Sequence, residues 1–237
     1  MIKEVIILAG GLGTRLQKTV PDLPKTLAPI GNRPFLSYIF KYLEANKIRR
    51  VILSVGYMHD KVQEFVNNNF KKFNVAFAIE EHPLGTGGAV LNASKLCSEE
   101  DVIVLNGDTL FNVDLKKLSD FHKQNSCLCT LSLKPMKNFN RYGIVVMDKD
   151  GHIQHFLEKQ PFDEGLINGG VYALNLKEFT SLKLPAKFSF ETDFLEKYYA
   201  SRKMMGLISD NYFIDIGIKE DFEKACYELP LQFNLNE

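Results

Sequence analysis

The 237-residue sequence predicts an α/β fold: a doubly wound, mostly parallel sheet with a β-rich extension. Short apolar runs recur through the first half, as expected of strands covered on both faces of a parallel sheet. Helical periodicity fills the stretches between them, and from about residue 127 it gives way to successive strand-like runs joined by turn residues.

Taken in order, Lys3–Leu8, Arg50–Val55, Asn74–Ile79 and Asp101–Leu105 read as strands. Pro34–Asn46 reads as a helix with Phe35, Ile39, Phe40 and Leu43 on one stripe, and His59–Asn69 and Gly88–Leu96 as two more. Pro34 suits a first helical turn, where its missing N–H costs nothing. Ligands of such a βαβαβαβ sheet sit off the carboxyl ends of the strands, so the loops at Gly10, Gly56, Glu80 and Asn106 are expected to converge. Cys127–Lys134, Tyr142–Met147, His152–Leu157 and Leu166–Leu174 follow as strands, with Asp150-Gly151 as a hairpin turn. Ser189 is a candidate N-cap for a helix over Glu191–Ala200, whose Glu191 and Asp193 complement its positive end. Met204–Ile208 and Tyr212–Ile214 are late strands, and Lys219–Leu229 is a closing helix. With no linker, repeat or low-complexity tract, residues 1–237 form a single domain whose character changes near residue 127.

Composition limits the function classes. Lys plus Arg (29) balances Asp plus Glu (29), so no global field points to nucleic acid or an anionic membrane, and a phosphate site must be local. Cys97, Cys127, Cys129 and Cys226 have no metal-ligand spacing and read as reduced packing residues. Met1–Glu4 runs straight into a strand, and no apolar run reaches membrane length, so a cytoplasmic location is expected.

The chemistry is concentrated first in Leu8-Ala9-Gly10-Gly11-Leu12-Gly13-Thr14-Arg15-Leu16, followed by Pro24-Lys25-Thr26-Leu27-Ala28-Pro29. Glycines let the backbone approach a ligand with N–H groups turned toward phosphate oxygens, and two cations follow. That is a loop for a nucleoside triphosphate. A dinucleotide fingerprint would need a third glycine where Leu16 stands, and a γ-phosphate-transferring loop would need Gly-Lys-Ser/Thr; both are absent. The stretch resembles the signature of the sugar-phosphate nucleotidyltransferases, a strand, Gly-Gly-x-Gly-Thr-Arg-Leu, then Pro-Lys-x-x-x-Pro, and residues 8–30 match it throughout.

The resemblance implies the Rossmann-like sheet of nucleotide-diphospho-sugar transferases, with residues about 1–126 binding nucleotide and about 127–237 binding sugar phosphate. It implies in-line attack of a sugar 1-phosphate on the α-phosphate of the triphosphate, with pyrophosphate leaving. A phosphate monoester has a second pKa of about 6, so the nucleophile is already anionic and the task is to hold anions together. In the family's pattern Arg15 grips the β/γ-phosphates and Lys25 bridges the incoming phosphate and the α-phosphate, while Leu8, Ala9, Gly10, Gly11, Gly13 and Thr14 form the nucleotide loop. Planar Arg and point-charge Lys suit those tasks.

Asn106-Gly107-Asp108, after a strand, is a second constellation, because Mg²⁺ takes one or two carboxylates plus phosphate oxygens. The family's pattern makes Asp108 the Mg²⁺ ligand and a later aspartate, Asp215, its partner. The third is Glu80-Glu81-His82-Pro83-Leu84-Gly85-Thr86-Gly87, which resembles the family's base-recognition loop through Pro83, Gly85 and Thr86. A carboxylate can accept together from N1–H and N2–H of guanine, so Glu81, or else Glu80, points to GTP. On the sugar side, the resemblance assigns Gly143, Glu158 and Asn168 to sugar hydroxyls, Lys159 to phosphate, and Gly169 to the same sugar-phosphate pocket. Adjacent strand residues point to opposite faces, which Glu158 and Lys159 would have to escape. Glu191, Thr192 and Asp193 read further sugar hydroxyls or cap a helix, and Thr192 is taken as a sugar contact.

Lys25-Thr26-Leu27-Ala28-Pro29-Ile30, Phe188-Ser189-Phe190-Glu191-Thr192-Asp193 and Phe213-Ile214-Asp215-Ile216-Gly217-Ile218 look most like the D-glycero-D-manno-heptose 1-phosphate guanylyltransferases. That subfamily more often has Lys-Pro-Met where this chain has Lys25-Thr26-Leu27. The expected partners are therefore GTP and that sugar phosphate, with monomer and homodimer both open. Rival readings are uridylyl or thymidylyl transfer to a hexose, amino-sugar or N-acetylmuramic acid 1-phosphate, and a non-catalytic nucleotide-sugar sensor. Sensors on this fold tend to lose the Arg, Lys or Asp of the site, whereas Arg15, Lys25, Asp108 and Asp215 are all present.

Overall fold

The strand Glu4–Leu8 (β1) lies inside a nine-stranded sheet in the computed structural model, which describes residues 1–11, 22–200 and 203–233. A 3₁₀ turn over Lys25–Leu27 and a ribbon of Pro29–Ile30 (β2) and Arg33–Pro34 (β3) lead to helix Phe35–Ala45 (α1). Arg50–Val55 (β4), His59–Asn69 (α2), Asn74–Ile79 (β5), Gly85–Ser94 (α3) and Asp101–Asn106 (β6) follow. β1 pairs in parallel with β4 on one side and β6 on the other, and β4 pairs in parallel with β5. The chain thus moves outward from β1 to β5 and returns to the opposite side of β1. The crevice between the ends of β1 and β6 is the topological switch point, where open α/β sheets bind ligands.

Val5 and Ile7 pack into an apolar cluster with α1, while Ile6 packs into a second one on the other face with α3. That is the period-two alternation of a strand, and it explains why all three neighbours are apolar.

The second half extends the same sheet. Its elements are Thr109–Phe111 (β7), Leu115–Asn125 (α4), Cys129–Phe139 (β8), Ile144–Met147 (β9), Ile153–Leu157 (β10) and Phe162–Asn175 (β11). After Leu176–Ser181 (α5), a π-helical turn over Phe190–Leu195 runs into Glu196–Tyr198 (α6). Met204–Ile208 (β12), Phe213–Asp215 (β13) and Lys219–Phe233 (α7) complete the chain. β11 is the seam: it pairs antiparallel with β6, β8 and β9, and its register shifts between Asn168 and Tyr172. β12 adds in parallel to β8, β10 adds to β9, and β13 pairs with β7 apart from the large sheet.

Several elements differ from the sequence reading. α4 and β7 were not read, although Asp114 caps α4 by accepting from Lys117 N–H at 3.0 Å. α3 starts at Gly85 rather than Gly88, because the Phe188 carbonyl accepts from the N–H groups of Gly87 (3.0 Å) and Gly88 (3.3 Å) and closes the first turn. The helix expected at Glu191 begins as a π-helical turn at Phe190, with Ser189 Oγ accepting from Thr192 N–H as its cap. All four cysteines are free, with Cys127 and Cys129 buried. Among the described residues no helix is long and apolar enough to cross a membrane.

Candidate active site

Two cavities, of about 470 and 450 Å³, open beside the switch point and share Asn106 and Asp108. Asn106 ends β6 between Leu8 of β1 and the turn into β11. Among the described residues its Oδ1 is buried and has no partner, as is the case for Oγ1 of Thr26 on the wall of the first cavity.

The first cavity is walled by Leu8, Ala9, Gly10 and Gly11 after β1, by Lys25, by Pro83, Gly85 and Thr86, and by Gly107. Gly13, Thr14 and Arg15 lie outside the described residues. Gly107 donates its N–H to Leu8 C=O at 3.0 Å, and a Cβ there would stand 2.4 Å from that oxygen, so the crossing of the β1 and β6 ends requires glycine. Glu80, not Glu81, lines this cavity; Glu81 is exposed beyond it. The Ser54 hydroxyl (3.0 Å) and Leu84 N–H (3.1 Å) donate to Glu80 and hold its carboxylate against β4. Each carboxylate oxygen has a second lone-pair site, so Glu80 retains acceptor capacity.

Lys25 Nζ donates to Asp108 Oδ2 at 2.6 Å on the partition between the cavities. Asp215 stands beside them: Thr109 pairs with Asp215 in the β7–β13 ribbon, and Ile216 N–H donates to Asp108 C=O at 3.0 Å. Burial first, and the Asp108 charge second, push the Asp215 carboxyl above the usual carboxylate range, against Lys25, Gly217 N–H and Arg141. Tyr142 OH donates to Asp215 at 3.4 Å, and Arg141 pairs with Asp221 while its other nitrogen lies 3.8 Å from Asp215. The stretch Asn140-Arg141-Tyr142-Gly143 follows the order of the sugar-phosphate pocket in sequence, but only Gly143 of it has a role there.

Among the described residues no group of three or more His, Cys, Asp or Glu side chains forms a metal cage. Two mutually repelling carboxylates beside open cavity space do fit Mg²⁺, which takes its remaining ligands from phosphate and water.

The second cavity brings together Gly143, Glu158, Lys159, Asn168, Gly169 and Asp215. Glu158 and Lys159 both line it because β10 ends at Leu157, and strand alternation no longer applies beyond that point. Asn168 is held by its own turn: Gly170 N–H donates to Oδ1 at 3.1 Å, and Nδ2 donates to the buried Tyr172 hydroxyl at 2.8 Å. Gly170 has φ +70°, and a Cβ there would meet the Asn106 side chain at 2.7 Å. Thr192 departs from its expected place; it is exposed and outside the lining, its N–H spent on the cap. Glu191, one residue earlier, lines the cavity together with Leu195 and Glu196.

Known proteins resemble this chain over nearly its whole length. A family model described as nucleotidyl transferase matches residues 4–230. The chain is 50% identical over 226 residues to a D-glycero-alpha-D-manno-heptose 1-phosphate guanylyltransferase of Aneurinibacillus thermoaerophilus, covering 95% of this chain and 98% of that one. Its identity is 44% to the Campylobacter jejuni protein of the same name, covering 92% and 96%. It superposes on HddC from Yersinia pseudotuberculosis complexed with GMP-PN with a TM-score of 0.85 at 39% identity, covering 96% of this chain and 99% of that one. With its glycine loop, its paired aspartates and full-length matches of this kind, the chain belongs to the nucleotidyl transferase family.

Proposed function

We propose that this enzyme transfers a guanylyl group from GTP to D-glycero-D-manno-heptose 1-phosphate, giving GDP-heptose and pyrophosphate. The observation that carries the reading is the meeting of two cavities at Asn106 and Asp108, with Lys25 on the partition. The guanylyltransferase names of the two relatives matched over nearly their full length, and the GMP-PN bound to the Yersinia protein, support the substrates.

The triphosphate occupies the glycine-walled cavity, with Arg15 on its β/γ-phosphates. The sugar 1-phosphate occupies the other, with Lys159 on its phosphate and Gly143, Glu158, Asn168 and Gly169 on its hydroxyls. Attack then runs across the partition at the α-phosphorus: one P–O bond forms to the sugar phosphate, and the bond to pyrophosphate breaks. The nucleophile needs no base, so Lys25 serves by charge, drawing both phosphates together as it exchanges Asp108 for phosphate oxygen. Asp108 and Asp215 would hold Mg²⁺, which supplies neutralisation of the phosphate charge. Glu80, rather than Glu81, accepts from the guanine edge. Residues about 1–126 thus serve the nucleotide and about 127–237 the sugar.

Incubating the protein with Mg²⁺, each nucleoside triphosphate and a panel of sugar 1-phosphates, while measuring pyrophosphate, tests the reading. Release is expected with GTP and the heptose phosphate, and Asp108→Asn should lower it by about two orders of magnitude or more. Release only with UTP or dTTP would overturn the base assignment, and release with no pair would overturn the enzyme.

A further inference from the structure

Glu191 lines the sugar cavity and Thr86 the nucleotide cavity, yet the two side chains touch: Thr86 Oγ1 donates to Glu191 Oε2 at 2.6 Å. Ser189 Oγ donates to the same oxygen at 3.1 Å, and Phe190 N–H donates back to Thr86 Oγ1 at 2.8 Å. A threonine hydroxyl has one proton, and here it is spent on Glu191, so it is not free to donate to a base carbonyl. The bonds that fix Glu191 among the described residues all fall on Oε2, which leaves Oε1 for the cavity.

The backbone explains how Glu191 comes to face this way. The turn Phe190–Leu195 is π-helical, so residues four and five apart share a face, and Glu191, Leu195 and Glu196 line the cavity together. In an α-helix, Glu191 and Glu196 would diverge by about 140°. Beneath the turn, the Phe190 ring packs at 5.0 Å from the ring of Tyr172, whose hydroxyl holds Asn168. Asn168 and Glu191 both line the cavity.

We propose that Glu191 determines sugar specificity by accepting hydrogen bonds from sugar hydroxyls, and that Thr86 is its positioning residue, tying the sugar cavity to the nucleotide loop. This rests on the reading of the second cavity as the sugar-phosphate site. A fixed carboxylate suits a polyhydroxylated ligand, because its acceptor lone pairs are already aimed and a hydroxyl pays little to reach them.

The test is steady-state kinetics on the full chain, varying D-glycero-D-manno-heptose 1-phosphate at saturating GTP and then the reverse. Glu191→Gln should raise KM for the sugar phosphate about tenfold while KM for GTP stays within about twofold. Thr86→Val should reproduce the sugar effect, Thr86→Ser should restore it, and the double variant should be no worse than Glu191→Gln alone. Melting curves check that each variant is folded, and Glu191→Gln with Thr86→Ser decides the matter if Thr86→Val does not fold. An unchanged sugar KM in Glu191→Gln, or a Thr86→Val effect confined to GTP, overturns the proposal. If the unmodified protein turns over and only these variants fail to behave as stated, this inference alone falls. If the unmodified protein turns over no sugar phosphate, the reading of the site falls and takes this inference with it.

Discussion

His122 on α4 is buried, with Nδ1 2.9 Å from the Thr130 hydroxyl and Nε2 3.6 Å from Asp101. Burial lowers its pKa from 6.5, and Lys123 adds to the lowering, while Asp101 works the other way. The unfolded chain therefore binds the extra proton first, and stability is lost as pH falls through about 6.5 toward the lower folded value. Between about pH 7.5 and 5.5 the urea midpoint of the unmodified protein is expected to fall more than that of His122→Gln; equal falls would show that His122 carries none of the acid sensitivity. The site residues differ in how legible they were. Lys25 and Asp108 could be read because each stands at a fixed distance from a glycine turn and a strand end, and the structure brings them to 2.6 Å. Glu80 against Glu81, and Glu191 against Thr192, could not be settled, because a one-residue change in a loop or in helical pitch turns a different side chain toward the cavity.

At the scale of elements, the segment around Phe188 clamps the start of α3. Its carbonyl takes the N–H groups of Gly87 and Gly88, its own N–H donates to Leu84 C=O at 3.0 Å, and its ring is buried where a Cβ on Gly87 would stand 2.2 Å away. The N–H groups of Gly87 and Gly88 are therefore spent on protein and not on phosphate. Phe188→Ala should cost about 3–5 kcal/mol of stability in denaturant melts, and a loss under about 1 kcal/mol would mean the clamp carries little. The parallel strands matched their expected bounds closely because runs such as Val5-Ile6-Ile7 are unambiguous when both faces are buried. α4 was harder: its polar Ser119 and His122 sit on the buried stripe, so the apolar signal is broken where the packing is not. The π-helical turn has no sequence signature, since it follows from the packing of Phe190 and Phe194 at 4.9 Å and not from propensity.

At the scale of the molecule, the two cavities depend on one seam. β11 stays paired with β8 on both sides of the shift at Asn168–Tyr172, while its other edge passes from β9 at Ile167 to β6 from Val171, and this carries the sugar-side residues to the end of β6. The balanced net charge leaves recognition to local groups, with Lys25 and Lys159 lining the cavities together with Asp108, Asp215 and Glu158. The order of the parallel strands, and with it the convergence of their loops, was legible in the sequence; the sharing of Asn106 and Asp108 between two cavities was not, because it depends on how β11 bends. In the proposed function, bond exchange occurs at the α-phosphorus across that shared partition. GTP labelled separately at its α- and γ-phosphates, incubated with Mg²⁺ and D-glycero-D-manno-heptose 1-phosphate, tests it most directly. The α-label is expected in the nucleotide sugar and the γ-label in pyrophosphate, whereas γ-label on the sugar, with GDP released, would overturn α-phosphorus chemistry.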